Sequence, residues 1–309
     1  MKRLPKINQL RNLRAVIQYG SISAASQALF QTQSTMTRSI QELERILGVS
    51  LLARGTNGVV LTELGRVFEP RMNSVLNELE RAIDELRQIE HSSHGTVTFG
   101  CSHLPAFSIV SGVIKKFQER YNTTRITVFE GQFSEVIDSL RLNRLDFYIG
   151  VISPDIALND FVGEHLSTTE FSVIARKGHP LSNCTSLSEL QNAKWYLPTA
   201  STGYYSKLEG IISPNKNNKK SSIIFGDSTT IAEQLILNED YLFIGPKSMF
   251  LVPQIKDLIC TIPIKEQLPE GVYSLIYSRT QKLTPVAATL MDDLRAAYSQ
   301  LLKDQEKSI

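Results

Sequence analysis

The sequence contains no run of about 18 consecutive apolar residues, so it predicts no membrane-spanning helix and no membrane partner. The basic N-terminus is followed by no apolar segment and no cleavage site, and we expect no signal peptide. The cysteines Cys101, Cys184 and Cys260 are too widely spaced for a disulfide framework or a metal site. These absences predict a cytoplasmic protein with three ordinary thiols, and a redox-sensing pair of Cys184 and Cys260 is the alternative.

Motifs for catalysis are absent as well. The sequence has no triad spacing of serine, histidine and aspartate, no recognised carboxylate pair, no phosphate-binding loop and no metal cluster. Ser102 and His103 are neighbours in a predicted loop, so their side chains point apart and form no nucleophile–base pair. We therefore expect no enzyme and no cofactor. A solute-binding protein, or an enzyme that uses a cleft in the C-terminal part, is the alternative.

Charge is unevenly distributed along the 309 residues. Residues 1–62 hold eight lysines and arginines but only two acidic residues, which gives this part a net charge of +6. The remainder carries −4, so the net charge of +2 for the whole chain hides a basic N-terminal part. This asymmetry predicts that the N-terminal part binds a polyanion, of which double-stranded DNA is the obvious candidate.

Two short helices joined by a tight turn are predicted between residues 20 and 45. Ser21 or Ser23 suits the N-cap of the first helix and Thr32 that of the second, because their hydroxyls accept first-turn N–H groups. Apolar residues recur at helical spacing in the second helix, at Met36, Ile40, Leu43 and Leu47. The arrangement is typical of a helix-turn-helix, and an ordinary solvated helix pair is the alternative.

The other face of the second helix is polar, carries short side chains and lacks acidic residues. Amide and guanidinium groups pair with base edges in the major groove, whereas hydroxyls reach phosphates. We therefore expect Gln33, Thr35 and Arg38 to read bases. Ser34 and Thr37 are expected to contact phosphates.

A two-stranded hairpin is predicted after this helix, with a turn at residues 54–58 and a returning strand at 59–61. Arg54 lies near its tip, where it could contact the phosphate backbone or the minor groove. A hairpin in this position makes residues 1–65 a predicted winged helix-turn-helix domain.

A long helix is predicted from residue 63 to about residue 90. Its apolar residues follow heptad spacing, at Phe68, Met72, Val75, Leu79, Ala82, Leu86 and Ile89. Such a seam needs a partner, and a second copy of the chain is the simplest one, since two copies match a two-fold operator. Residues 66–94 are thus predicted to be a dimerisation helix with a polar hinge at 91–94, and a long core helix is the alternative.

From residue 95 onward strands and helices alternate, which predicts a parallel, doubly wound α/β sheet. A second unit of the same kind follows, with its first strand expected at 170–175. The strand and helix at the C-terminus are expected to return to the first sheet. The prediction is therefore two α/β lobes with a cleft between them: lobe I at about 95–163 and 269–309, and lobe II at about 164–268.

Ligands of such sheets bind beyond the carboxyl ends of the strands, close to helix N-termini. The predicted strand ends are rich in small hydroxyl and amide groups that suit a carboxylate or sulfonate. We therefore expect a small anionic effector in a site formed by Ser102, Gln132, Thr202, Tyr204 and Ser228.

Taken together, these motifs resemble those of the LysR-type transcriptional regulators. The resemblance lies in Gly20–Ala25, Thr32-Gln33, Leu51–Arg54, Leu61-Thr62 with Gly65, Leu145–Phe147 and Gly178–Leu181, and it covers nearly the whole chain. Within that family the chain resembles the TdcA branch, with AbgR and TsaR more distant. The stretches that carry this likeness are Ser108–Phe117, Leu197-Pro198 with Gly203–Ser206, and Asp227-Ser228 with Leu237-Asn238. The resemblance implies a winged helix-turn-helix, a linker helix for dimerisation and a two-lobed effector domain like that of periplasmic binding proteins. It also implies a small-molecule co-inducer and tetramers, with RNA polymerase a further candidate partner.

The chain departs from the family pattern on the face that is expected to choose the operator. Ser34 stands where the family usually has proline, and Thr37 where it usually has serine. Leu52 replaces the usual phenylalanine of the hairpin, and Asn143 the common glycine before Leu145. Both hydroxyls on the second helix can still touch phosphates, so these departures predict a different operator preference with DNA binding retained.

Overall fold

A computed structural model describes residues 4–55, 58–90, 95–153, 156–199, 208, 210, 212, 222–251 and 255–306. The chain divides into two compact units, residues 1–86 and 87–309. None of the helices in these ranges is long and apolar enough to cross a bilayer. The predicted hinge at 91–94 and the hairpin tip at 56–57 fall outside the described residues.

The first unit is built from helices and one hairpin. Its elements are α1 (Ile7–Tyr19), α2 (Ile22–Ala28), α3 (Gln33–Leu47), β1 (Leu52–Gly55), β2 (Gly58–Leu61) and α4 (Glu63–Glu90), the last of which continues into the second unit. The predicted caps are confirmed, because Ser21 Oγ accepts from Ala24 N at 3.1 Å and Thr32 Oγ1 accepts from Thr35 N at 3.2 Å. These caps satisfy N–H groups that an α-helix leaves without internal partners.

The core of the first unit gathers the apolar faces of its helices. Met36, Ile40 and Leu43 of α3 are buried there together with Leu13 and Val16 of α1. At 3.6 residues per turn, burial of these α3 positions turns the opposite side of the helix, with its polar residues, to the solvent.

The hairpin is held against the turn between α1 and α2. Strands β1 and β2 pair antiparallel, with Leu52 opposite Leu61 and Gly55 opposite Gly58. Val59 N donates to Gly20 O at 3.0 Å. Gly58 has a φ of +136°, and a Cβ on it would lie 2.5 Å from Gly20 O, so only glycine fits this position.

The apolar residues of α4 divide between two faces. Met72 and Leu76 are buried in the core of the first unit, with Phe68 packed against it. Val75 and Leu86, in contrast, are 51% and 68% exposed. The other exposed apolar side chains of this helix are Leu64, Val67, Leu79, Ile83 and Ile89.

The predicted seam is therefore not continuous along α4. Phe68 and Met72 belong to the core, and the exposed stripe runs from Val75 through Leu79 and Leu86 to Ile89. The reason is that the core of the first unit uses the first part of the seam, whereas the later positions are not covered by that core.

The second unit contains a mixed α/β sheet. Its strands are β3 (Thr96–Cys101), β4 (Arg125–Glu130), β5 (Phe147–Ile152), β6 (Phe161–Arg176), β7 (Lys194–Leu197), β8 (Ser222–Phe225), β9 (Tyr241–Pro246), β10 (Ile259–Ile262) and β11 (Glu270–Ser278). Its α-helices are α5 (His103–Pro105), α6 (Ser111–Arg120), α7 (Phe133–Arg141), α8 (Thr229–Asn238) and α9 (Pro285–Glu306), with a π-helical segment at Ala106–Val110 and 3₁₀-helices at Leu187–Leu190 and Lys247–Leu251.

Strand order in this sheet explains the two lobes. The order is β4-β3-β5-β11-β6-β9-β7-β8, and β10 also pairs with β6. Strand β3 is parallel to both β4 and β5, as the predicted βαβαβ unit requires. Strand β6 pairs with β11 along Phe161–Glu170 and with β9 and β10 along Phe171–Arg176, so it passes from one lobe to the other.

The strand predicted at 170–175 is too short. Strand β6 has 16 residues, and its first half alternates between exposed and covered positions. Polar residues such as Glu164, His165 and Thr168 interrupt the apolar pattern there, so the sequence alone does not indicate a strand. The strand is seen only from its pairing with β11. Strand β10 was not predicted. Its first and last residues, Ile259 and Ile262, are buried.

The turn between α2 and α3 carries an unusual residue. Gln31 N donates to Ser26 O at 2.8 Å and Phe30 N to Gln27 O at 3.1 Å, which is the bonding pattern of a Schellman motif. The residue in the left-handed conformation is Phe30, with φ +52° and a 98% exposed side chain. Glycine or asparagine is the usual occupant, since a left-handed backbone costs most other residues about 1–2 kcal/mol.

We expect Phe30→Asn to raise the free energy of unfolding of the first unit by about 1 kcal/mol, because asparagine tolerates the left-handed backbone. Chemical denaturation followed by far-UV circular dichroism measures this change. Fluorescence of Trp195, the one tryptophan of the chain, reports the second unit and should not change. Phe30→Leu is the matched control, since it keeps the backbone strain, and equal stability of the two variants would contradict the expectation.

Candidate functional site

The N-terminus of α3 presents a polar surface to the solvent. Gln33, Ser34, Thr35 and Arg38 are exposed, whereas Thr37 is half-buried. The first turn contains no acidic residue. Free N–H groups and the positive end of the helix dipole make such a terminus attractive to phosphate.

Hydrogen bonds hold several of these side chains in place. Gln33 Nε2 donates to Ser23 Oγ at 2.9 Å, which joins α3 to α2. Thr32 Oγ1 lies 3.0 Å from Ser34 Oγ and 2.9 Å from Thr35 Oγ1. Two of the expected reading residues are therefore oriented in advance, Gln33 from the neighbouring helix and Thr35 from the N-cap.

A buried asparagine supports α3 from below. Asn12 of α1 is 4% exposed, its Nδ2 donates to Ser39 Oγ at 2.8 Å, and its Oδ1 accepts from Gln31 Nε2 at 3.2 Å. These bonds connect α1 with the turn and with α3, so they fix the angle at which α3 is presented. Asn12 was not predicted as a functional residue, although its position between Leu10 and Leu13 on an apolar face was a usable signal.

Glu44 connects α3 to the hairpin. Its Oε1 accepts from Leu51 N at 2.7 Å and from Leu52 N at 3.1 Å. This carboxylate points away from the polar face of α3 and has a structural role. The backbone of Arg54 belongs to β1, while its side chain lies outside the described residues.

The second unit contains a cavity of about 290 Å³ between its two lobes. Three of the predicted effector residues, Ser102, Gln132 and Ser228, line it, while Thr202 and Tyr204 fall outside the described residues. Ser228 Oγ also caps α8 by accepting from Ile231 N at 3.3 Å. The apolar lining consists of Leu104, Val151, Ala232, Ile236, Phe243, Met249 and Tyr273.

Charged groups from both lobes meet in this cavity. His103 Nδ1 donates to Glu130 Oε1 at 3.2 Å, and Thr229 Oγ1 donates to the same oxygen at 2.9 Å. His103 Nε2 lies 3.2 Å from Glu233 Oε1, yet the alignment leaves both buried atoms without a hydrogen bond in the described structure. His103 and Glu130 belong to lobe I, whereas Thr229 and Glu233 belong to α8 of lobe II, so these contacts connect the lobes.

Among the described residues that line the cavity, acidic side chains are in excess. Glu130, Asp227 and Glu233 line it, and His103 is the one basic side chain among the described lining residues. The hydrogen bond from His103 lowers the pKa of Glu130, so this carboxylate is charged at neutral pH. This balance disfavours the small anion that was expected from the hydroxyl and amide groups alone, because like charges repel in a partly dehydrated cavity. In the sequence, His103 was considered as a possible base only because it is next to Ser102.

Close backbone packing forms one wall of the cavity. A Cβ on Gly150 would lie 2.6 Å from Ser102 Oγ and 2.5 Å from the Tyr148 hydroxyl, so Gly150 lets both approach. Tyr148 donates to Gly131 O at 3.1 Å, and burial raises its pKa well above the ordinary value. Ser102 Oγ accepts from Val151 N at 3.4 Å. Ser102 therefore has a structural partner as well as access to the cavity.

The three cysteines share a raised thiol pKa. All three are free thiols. Burial, and next the charge of Glu130, raise the pKa of Cys101 to about 12, and burial also raises the pKa of Cys184 and Cys260. Thiols of this kind are protonated at neutral pH and react slowly. Within the described residues, no group of three or more histidine, cysteine and acidic side chains could hold a metal ion.

Comparison with known families decides what the two units are. Residues 7–66 match the model of the bacterial regulatory helix-turn-helix proteins of the LysR family. Residues 90–299 match the model of the LysR substrate binding domain. The chain belongs to the LysR family of transcriptional regulators.

LysR relatives align with between 61% and 96% of the chain. The HTH-type transcriptional regulator TdcA of Escherichia coli K12 is 32% identical over 296 residues, which are 96% of this chain and 94% of TdcA. GbpR of Rhizobium radiobacter is 31% identical over 61% of this chain and 64% of GbpR. The predicted likeness to the TdcA branch is thereby confirmed.

Solved LysR structures show the same fold at lower identity. ArgP of Mycobacterium tuberculosis has a TM-score of 0.70 with 15% identity, covering 96% of this chain and 98% of ArgP. CbnR has a TM-score of 0.64 with 18% identity, covering 95% of this chain and 99% of CbnR. A further structure contains full-length CbnR with its target DNA, with a TM-score of 0.64, 19% identity, and coverage of 94% of this chain and 99% of CbnR.

Membership of the LysR family confirms the predicted function. The chain is a DNA-binding transcriptional regulator with an effector-binding domain. It is not an enzyme, and the alternatives of a solute-binding protein or a cleft enzyme are set aside, because the family and its relatives are regulators.

Proposed function

We propose that a dimer of this regulator reads a two-fold operator with α3 of each protomer, and that an effector in the cavity between the lobes adjusts the affinity for that operator. The observation that carries the proposal is the exposed polar N-terminus of α3, which lacks acidic residues and stands on a buried apolar face. An α-helix of this kind fits the major groove.

Individual roles follow from chemistry and position. Gln33, Thr35 and Arg38 reach base edges from the exposed face of α3, and Arg38 is the strongest candidate because its guanidinium binds guanine through two hydrogen bonds. Ser34 and Thr37 contact phosphates from the same helix. Arg54 contacts the backbone or minor groove from the hairpin.

The exposed stripe of α4 supports dimerisation. Val75, Leu79, Leu86 and Ile89 are each at least 41% exposed, which is costly for apolar side chains in water. Pairing of two α4 helices along this stripe buries them and brings two copies of α3 to one DNA. Pairing of dimers into tetramers and contact with RNA polymerase are further expectations that the family resemblance raises.

Effector binding is proposed for the cavity lined by Ser102, Gln132 and Ser228, with Thr202 and Tyr204 as further candidates. The contacts of His103 and Thr229 across the lobes support this, because a ligand that competes for these groups changes how the lobes are held together.

We expect Arg38→Ala to abolish specific operator binding and to leave the fold and the oligomer intact. Loss of a bidentate contact costs about 1–3 kcal/mol for each protomer. The measurement is fluorescence anisotropy with an operator duplex, found beforehand by mapping the chromosomal DNA that the protein binds in cells.

Arg45→Ala is the matched control on the same helix. Arg45 lies in the last turn of α3 and is bound to Glu42 at 2.7 Å. The control should weaken binding to all sequences slightly and equally. Unchanged operator affinity of Arg38→Ala would refute the assigned role of α3.

We expect Leu86→Arg to convert the dimer into a monomer, because it places a charge in the centre of the proposed α4 stripe. Sedimentation equilibrium over a range of concentrations measures the change. Leu86→Met keeps an apolar side chain of similar volume at the same position, and it should leave the dimer intact. A Leu86→Arg protein that sediments like the wild type would rule out pairing along this stripe.

A further inference from the structure

The charge of the effector cavity indicates the chemical class of the ligand. This inference rests on the proposed function. Glu130, Asp227 and Glu233 line the cavity together with His103, and no lysine or arginine occurs among the described lining residues. Even with a protonated imidazole, acids remain in excess among these described residues. A ligand that brings positive charge therefore gains attraction, and one that brings negative charge meets repulsion.

Glu233 is the group in need of a donor. It projects from α8, and its Oε1 is buried without a hydrogen bond in the described structure. His103 Nε2 lies near it at 3.2 Å but is poorly aligned and is itself without an acceptor. A buried carboxylate oxygen without a donor is unfavourable, so a ligand N–H group at this point relieves a cost present in the empty cavity.

Glu130 lies on lobe I, opposite Glu233, and its side chain is negatively charged. It accepts hydrogen bonds from His103 and from Thr229, and its lowered pKa keeps it ionised at neutral pH. A cationic group between Glu130 and Glu233 is therefore attracted to carboxylates of both lobes. An ammonium group has three donors and can satisfy several acceptors at once.

The rest of the cavity is apolar. Val151, Ile236, Phe243 and Met249 come from both lobes and form surfaces without hydrogen-bonding groups. A volume of about 290 Å³ admits a small aliphatic body. Ser102, Gln132 and Ser228 can accept or donate at its polar edge.

We propose that the effector of this regulator is a small aliphatic compound with a protonated amine, which Glu233 and Glu130 bind. The independent reason to expect a ligand here is that the cavity lies within the LysR substrate binding domain. The ammonium group competes with His103 for Glu130 and supplies the donor that Glu233 lacks. It thereby alters the contacts of His103 and Thr229 that connect lobe I with lobe II.

Isothermal titration of the full-length protein tests the ligand class. The probes are ethanolamine, 1,4-diaminobutane and 3-methylbutylamine, and the matched acids are glycolate, succinate and 3-methylbutanoate. We expect at least one amine to bind and none of the acids. Binding of the acids alone, or of no compound in either set, overturns the proposal.

Variants test the residues that bind the amine. Glu233→Gln keeps the shape of the side chain and removes its charge, and we expect it to weaken amine binding at least tenfold. Glu119→Gln is the matched control, since Glu119 is an exposed acid of α6 outside the cavity lining. Equal amine affinity of Glu233→Gln and the control overturns the role of Glu233. If Glu233→Gln fails to fold by circular dichroism, Glu130→Gln takes its place with the same expected loss.

Operator binding measured without ligand distinguishes a wrong ligand class from a wrong proposed function. A wild-type protein that binds its mapped operator but none of the amines contradicts the ligand class alone. A wild-type protein that binds no chromosomal DNA specifically contradicts the proposed function, whatever the titration gives. A saturating amine that changes the operator affinity supports both.

Discussion

Burial of Met36, Ile40 and Leu43 on one side of α3 is the constraint on which DNA recognition depends. Because these side chains occupy one face of a 3.6-residue helix, the remaining residues are placed on the outside. Asn12 and Glu44 then fix the orientation of α3 relative to α1 and to the hairpin. None of these five groups needs to touch DNA, yet each determines which side chains can.

In the second unit, too, the residues that shape the fold differ from those that give the site its chemistry. Strand β6 pairs first with β11 and then with β9 and β10, so two lobes share one strand and leave a cavity between them. Gly150 permits Ser102 and Tyr148 to approach closely on one wall. The acids that meet across the cavity give it a negative character that the fold itself does not require, and we connect this character with the ligand.

Much of the first unit could be predicted from local patterns. The caps at Ser21 and Thr32 and the buried positions of α3 follow from short-range periodicity and hydroxyl placement, which operate within a few residues. The α4 seam was predicted only in part. Heptad spacing shows that a helix has an apolar stripe, but it does not show that Phe68 and Met72 are used by the core of the same unit.

The effector cavity was harder to predict because it is assembled from distant segments. Ser102, Gln132 and Ser228 were found from the rule that strand ends gather ligand-binding groups, and they do line the cavity. Glu233 was not recognised, and the strand ends that contain His103 and Glu130 were considered only for their hydroxyl and amide groups. The contacts of His103 with both acids become evident only after the strands are ordered. The first half of β6 was missed for a similar reason, as its pairing with β11 is non-local.

Hydroxyl-radical footprinting of the full-length protein on its mapped operator tests most directly whether two copies of α3 read one DNA. The account predicts two protected segments, related by two-fold symmetry, with centres about 10 base pairs or a multiple of that distance apart on one face of the duplex. A single asymmetric protected segment, or uniform protection along the duplex, would contradict it.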